Sequence, residues 1–260
     1  MNSIVLLLKS RKPEILFRIL AEKLFSPQLK NAKTLLPLFE GKYGIEIGGP
    51  SGFFKPGGYI PVYGAAEGID GCNFSSSTVW EGNIAEGNTY RYQPGKTGKQ
   101  YICDAVEVNK VPQGGYDFIL SCNSLEHIAN PLKAIENWLR LLKPEGGILL
   151  LVLPRKESNF DHKRPVTAFV HLMDDYRNNI TEHDLTHLPE ILKLHDLRYD
   201  PLAGGFENFK ERSGNNFDNR CLHHHVFDIG LLEEVCNYFK LEVVLKTSRI
   251  TDHIIIARTR

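Results

Sequence analysis

Tyr116-Asp117-Phe118-Ile119-Leu120-Ser121 opens a run that continues through Leu125-Glu126-His127 and Asn130-Pro131. It closes with Leu142-Lys143-Pro144-Glu145-Gly146-Gly147 and the aliphatic residues 148–153. Phe118, Ile119 and Leu120 make an apolar strand core. Asn130 is a natural N-cap, and Pro131 suits the first helical turn because its missing amide hydrogen would go unused there. Leu132, Ile135, Leu139 and Leu142 then recur at helical spacing, with Trp138 beside them. The glycine pair ends that helix, and the unbroken aliphatic run after it is the signature of a strand covered on both faces. Strand, helix, strand at this spacing predicts a βαβ unit with a right-handed crossover, hence a parallel sheet.

Upstream, residues 43–47 predict a short buried strand that runs directly into Gly48-Gly49-Pro50-Ser51-Gly52. A second short strand is expected over 101–105, ending near Asp104. Downstream, a helix is expected from about 229 to 239 with Asp228 as its cap, followed by strands over 241–246 and 253–257. Residues 155–226 show no clear period. Pro13 opens an expected amphipathic helix carrying Ile15, Leu16, Ile19, Leu20 and Leu24 on one stripe. The division is therefore a helical extension over 1–40, suited to self-association, and one domain over 41–260 with an insertion at about 155–226. The apolar run 4–8 is too short for a signal core or a membrane span.

Thirty-one basic residues balance thirty-one acidic ones, and no Lys/Arg run stands out. Nucleic-acid binders draw affinity from clustered positive charge, so no nucleic-acid partner is expected. Five scattered cysteines without a C-x-x-C pair point to reduced thiols and a cytoplasmic protein. The loop after the first strand fails the dinucleotide fingerprint, because Pro50 and Phe53 occupy its second and third glycine positions. It also lacks the Gly-Lys-Ser/Thr of a phosphate loop. Acidic residues after successive strands suggest another ligand. Asp70, with Glu67 as its rival, can accept hydrogen bonds from ribose hydroxyls, and Asp104 can accept from an adenine amino group. Together they describe an adenosine-shaped pocket.

These motifs, above all Leu125-Glu126-His127 and the Leu142 to Gly147 block, resemble the class I S-adenosylmethionine-dependent methyltransferases of small-molecule type. More loosely, the chain is similar to those associated with bacterial surface-polysaccharide assembly. The resemblance covers about residues 43–154, with a tail from 225. It implies a Rossmann-like α/β sandwich whose mostly parallel seven-stranded sheet ends in an antiparallel last strand, and S-adenosyl-L-methionine as cofactor. Carried onto matching positions, it assigns Glu46, Gly48, Gly49 and Gly52 to the methionine end and Asp70 to the ribose. Asp104 and Ala105 go to the adenine, and Ser121 and Cys122 to the cofactor's border. Pro50 departs from the glycine usual in that family, and Lys55-Pro56-Gly57-Gly58 predicts a short or displaced first helix.

Eight of the ten histidines fall between His162 and His225, outside the cofactor half. If the acceptor is a hydroxyl, a base must take its proton, and histidine suits that task near neutral pH. His127, His224 and His162 are the candidates. The polar and aromatic residues Asp161, His162, Arg164, Tyr176, Asn178 and Asn179 favour a sugar, glycan or other small hydroxyl acceptor. His183 and His187 share metal-like spacing, but H-E-x-x-H is absent and no metal ligand is assigned. Two other readings stay open: a non-catalytic binding or assembly partner that kept the fold, and a metal-dependent hydrolase built on the histidines. A nicotinamide oxidoreductase is disfavoured by the failed glycine fingerprint.

Overall fold

The computed structural model describes residues 28–30 and 32–260. The expected helix from Pro13 lies outside them. Ten strands are present among the described residues: β1 (Tyr43–Ile47), β2 (Gly68–Asn73), β3 (Ser77–Thr78), β4 (Gly82–Asn83), β5 (Gly87–Gln93), β6 (Lys96–Ile102), β7 (Phe118–Cys122), β8 (Ile148–Pro154), β9 (Glu242–Ser248) and β10 (Asp252–Arg258). The main sheet runs in the order β5-β6-β2-β1-β7-β8-β10-β9, and β3 with β4 forms a separate small hairpin.

β6, β2, β1, β7 and β8 are mutually parallel, and β10 lies antiparallel to both β8 and β9. This is the Rossmann-like α/β sandwich with its antiparallel last strand. It has eight strands rather than seven, because β5 folds back antiparallel onto β6 at the edge. Both strands are polar along one face, so neither carries the apolar run by which the inner strands announce themselves.

Alternation along each strand divides the core in two. Leu149, Leu151 and Leu153 of β8 face one way, with Ile45, Ile47 and Ile119. There they meet the helices Pro131–Leu141 and Ile229–Tyr238 through Leu132, Ile135, Trp138, Leu232 and Val235. Ile148, Leu150 and Val152 face the other way, with Phe118 and Leu120, against Phe39, Phe54, Ile60 and Tyr63. The capping residues behave as their chemistry requires: Asn130 accepts from Lys133 N at 3.1 Å, and Asp228 from Leu231 N at 2.8 Å. The first helix after the glycine loop is reduced to a single 3-10 turn at Gly52–Phe54 and a four-residue helix, Val62–Ala65.

The chain between β8 and Ile229 is more regular than its sequence suggests. It holds helices Phe169–Arg177, Leu188–Leu194, Phe206–Gly214 and Asn216–Asn219. Ile191, Ala203, Phe209 and Leu222 give it a small apolar core of its own. This covering segment lies across the carboxyl ends of the parallel strands and closes one side of the site.

Candidate active site

A cleft of about 810 Å³ opens where β1, β2, β6 and β7 end. That edge is where open α/β sheets bind ligands, and the volume falls within the usual range of roughly 300–1,000 Å³. Gly48 leaves β1 with φ +80°, and a Cβ there would lie 2.1 Å from Ser124 Oγ. Only glycine lets the backbone turn at the cleft edge this way. Pro50, Ser51 and Gly52 continue the wall, and Gly52 faces open space.

Asp104 and Ala105 line the cleft beyond β6, where Asp104 turns its own loop by accepting from Val106 N at 2.7 Å. Ala105 is fixed from behind: its carbonyl accepts from Trp138 Nε1 at 2.6 Å. Cys122 lines the cleft at the end of β7.

Four of the sequence-assigned cofactor positions stand elsewhere, for definite reasons. Glu46 lies on the opposite face of β1 from Ile45 and Ile47. It is fully buried, with Tyr63 Oη and Tyr90 Oη donating to Oε2 at 2.5 and 2.6 Å and Ser51 N donating to Oε1 at 3.0 Å. Burial pushes its carboxyl up to about 7, although Tyr63, Tyr90 and Ser51 all pull it down. It holds the glycine loop from beneath rather than facing the cleft. Gly49 packs on that same network, since a Cβ would lie 2.2 Å from Glu46 Cδ.

Asp70 is not at a strand end, because β2 continues to Asn73. Its carboxylate accepts from Tyr116 Oη and Lys99 N, each at 2.7 Å. Its rival Glu67 precedes β2 altogether. The residues that reach the cleft from β2 are Cys72, Asn73 and Phe74, and Asn73 Nδ2 donates to Gly49 O at 3.0 Å. Ser121 is buried within β7, one residue short of the edge.

Among the expected bases, His127 does line the cleft. Its Nδ1 is 3.0 Å from Leu222 O. A carbonyl can only accept, so Nδ1 carries the proton and Nε2 keeps its lone pair. Burial lowers the His127 pKa well below its ordinary value, and His223 adds to that effect. The ring is neutral throughout the physiological range. His224 is buried against Asn216 Nδ2, 3.0 Å from its Nε2, and does not reach the cleft. His162 lies outside the cleft with Nε2 3.0 Å from Asp196 Oδ2. Neither His224 nor His162 is placed to meet a ligand in the cleft.

The neighbour of His224 takes that position. His223 lines the cleft, 4.5 Å from His127 between ring centroids, and its Nδ1 is 2.5 Å from Asp161 Oδ2. Burial would lower the His223 pKa, but the Asp161 carboxylate outweighs it and raises the value above normal. Burial would likewise raise Asp161, yet His223 and Arg164 hold it down at about 2. Arg164 is itself buried and reaches Asp161 Oδ1 at 3.0 Å, His223 O at 2.8 Å and His224 O at 3.1 Å.

Beside these lies Glu126, buried in the cleft wall, with neither carboxylate oxygen accepting a hydrogen bond. Burial lifts its pKa to about 7. The sequence signals for this group are Asp161 in a polar cluster and three consecutive histidines, His223, His224 and His225, but that run alone does not say which ring faces inward.

The rim adds two residues that sequence reading passed over. Arg220 lines the cleft from the covering segment and pairs with Asp104 at 3.1 Å and Glu182 at 3.2 Å, tying that segment to the sheet edge. Trp80, carried by the β3–β4 hairpin, is largely exposed within the cleft, 5.1 Å from His127 between ring centroids.

Comparison with known proteins agrees with this fold. A family model described as a methyltransferase domain matches residues 18–201. An S-adenosylmethionine-dependent methyltransferase from Mesorhizobium loti is similar in structure, with a TM-score of 0.50 and 13% identity over 87% of this chain and 95% of that one. A protein described as a putative Zn-dependent alcohol dehydrogenase from Rhodobacter sphaeroides gives a TM-score of 0.51 at 12% identity, over 89% of each chain. An S-adenosylmethionine-dependent methyltransferase from Aquifex aeolicus aligns over 100% of both chains at 13% identity, with a TM-score of 0.43. The first two likenesses speak to the fold. No curated protein matches the sequence.

Proposed function

We propose, from the premise that this chain belongs to the methyltransferase domain family, that it transfers a methyl group from S-adenosyl-L-methionine to a hydroxyl of a sugar, glycan or similar small acceptor. The observation that carries the reading is the His223–Asp161 pair, buried in the wall of a cleft at the carboxyl edge of the sheet. A hydroxyl is a poor nucleophile until its proton leaves, and a histidine backed by a carboxylate is suited to take it.

The cleft suits the donor. Gly48 admits close backbone approach, and Phe74, Val106 and Ile128 give apolar wall beside the Asp104 carboxylate. The partnerless Glu126, whose carboxyl burial raises to about 7, would gain its charge beside a bound cation. Gly48, Gly52, Asp104, Ala105 and Cys122 are the residues that would hold it. The cofactor, when bound, supplies an electrophilic methyl on a sulfonium.

The chain's own residues do the rest. His223 takes the hydroxyl proton on Nε2 while Nδ1–H stays on Asp161, whose charge stabilises the resulting imidazolium. His127, neutral and fixed by Leu222 O, offers Nε2 as an acceptor that orients the hydroxyl. The base must be free of its proton, so turnover should rise with pH through the elevated His223 pKa. Ionisation of Glu126 at about 7 supports the imidazolium further.

A carbohydrate acceptor is favoured by Trp80, a half-exposed indole lining the cleft, which offers a flat apolar face to a sugar ring. Trp80→Ala should raise the acceptor KM roughly 5–30-fold, equivalent to about 1–2 kcal/mol of lost contact, and leave kcat within a factor of two or three. Initial rates over a range of acceptor concentrations separate the two effects. A fall in kcat at constant KM would remove Trp80 from the acceptor site.

The reading as a whole is tested by calorimetry with S-adenosylmethionine and then a survey of hydroxyl and amine acceptors with labelled cofactor. One equivalent bound and label on a sugar hydroxyl is the expected result. No heat at millimolar cofactor would point instead to a binding partner that kept the fold. A cytoplasmic setting accords with five cysteines that stand unbridged, even Cys72 and Cys103 with sulfurs 3.5 Å apart. Among the described residues no helix is long and apolar enough to cross a membrane.

A further inference from the structure

Four side chains behind the cleft converge without any part in the chemistry described so far. His171 and Asp175 lie one turn apart on the helix Phe169–Arg177, which puts both on the same face. His187 immediately precedes the helix Leu188–Leu194, and His225 comes from the extended chain two residues after His223. One ligand atom from each lies within 4.8 Å of every other.

The separations are specific. His171 Nε2 is 3.1 Å from His187 Nε2 and 3.5 Å from Asp175 Oδ2, and His225 Nε2 is 3.6 Å from the same oxygen. Bonds of about 2.0–2.1 Å from a tetrahedral ion require ligand atoms about 3.3 Å apart. Three edges of such a tetrahedron are thus nearly at length without an ion to set them.

A second observation points the same way. Asp175 Oδ2 is buried and accepts no hydrogen bond. A buried carboxylate without a partner is costly, and a dication supplies the missing charge.

We infer that His171, Asp175, His187 and His225 form a binding site for one divalent transition-metal ion of zinc type, separate from the methyl-transfer cleft. Three imidazole nitrogens and one carboxylate oxygen suit zinc and its neighbours rather than calcium or magnesium, which prefer oxygen. Ligation moves the Nε2 proton of His225, and that of whichever of His171 and His187 donates across their 3.1 Å contact, to Nδ1, and gives up the 3.2 Å contact of His225 with Ala129 O. Any proton held by Asp175 is released. The half-exposed edges of His171 and His187 provide the entry path.

The site joins two helices of the covering segment to the extended chain that presents His223. It is therefore structural, clamping the acceptor side of the cleft in place.

The test uses the full chain, stripped with chelator and titrated with Co²⁺, whose tetrahedral complexes absorb visibly. One equivalent should bind, with bands displaced by Zn²⁺, and zinc should raise the melting temperature. Asp175→Asn and His187→Ala should each weaken binding at least tenfold. His127→Ala should not. Absence of a Co²⁺ spectrum in the folded protein overturns the site. So does unchanged affinity in both ligand variants, or loss of binding in His127→Ala, which would move the ion to the Glu126, His127 and His223 group.

Discussion

His223→Gln should lower kcat by about 10²–10⁴-fold, the usual contribution of a positioned general base, while leaving the dissociation constant for S-adenosylmethionine within about twofold. Glutamine keeps the volume and a polar tip but takes up no proton. Isothermal titration and initial rates measured side by side separate the two quantities. A variant with full turnover would show that His223 is not the base, and one with tenfold weaker cofactor binding would place the residue on the donor side.

Asp161→Asn makes the same point through pH. In the wild type, burial depresses the imidazole and the carboxylate at 2.5 Å more than reverses this, so His223 titrates above its ordinary value. The rate should be low below that pKa and rise through it as the base is freed. Asparagine can still accept from Nδ1–H but carries no charge, so burial then dominates and the pKa falls below the ordinary histidine range. The rising limb of kcat/KM should move to lower pH, and its plateau should drop because the imidazolium has lost its counter-charge. A limb that stays in place would identify another group, with Glu126 at about 7 the first to consider.

Why the central βαβ unit could be read from sequence and the edges could not has a physical basis. Strands covered on both faces must be apolar throughout, so β7 and β8 are visible, as are the caps Asn130 and Asp228, whose geometry is local. Asp70 misled because nothing nearby in the sequence shows that β2 runs on through Gly71 to Asn73. In fact Gly71 is needed inside β2, where a Cβ would lie 2.2 Å from the ring of Tyr90. That contact joins residues distant in sequence and leaves no local trace.

Glu46 sits in the expected strand but on the wrong face, a matter of one residue of alternation. The histidine run failed for a related reason. Residues 222–227 are extended without belonging to a strand, so no period says that His223 faces the cleft and His224 does not. Arg164 and Asp161 fix that choice from about sixty residues upstream.

Arg164→Met should therefore cost about 3–5 kcal/mol of folding stability at pH 7, the range seen when one partner of a buried ion pair is removed. Methionine fills much of the space but leaves Asp161 charged beside a hydrophobic thioether, and the carbonyls of His223 and His224 lose their donors. Arg164→Lys should recover only part of the loss, since a single ammonium cannot span Asp161, Glu190 and two carbonyls as the guanidinium does.

Acid sensitivity fixes the sign. The Asp161 carboxyl is held at about 2, below its unfolded value near 3.8, so it contributes stability that is complete above about 4 and lost as pH falls through about 2. With Arg164 gone, its folded pKa rises toward the unfolded value, so the loss on acidification should be smaller than in the wild type and complete at a higher pH. Urea unfolding at pH 7 and across pH 3–5 measures both effects. A difference under 1 kcal/mol, with superimposable acid limbs, would mean that Arg164 does not hold the His223–Asp161 pair in place, and the base would then have to be oriented by the covering segment alone.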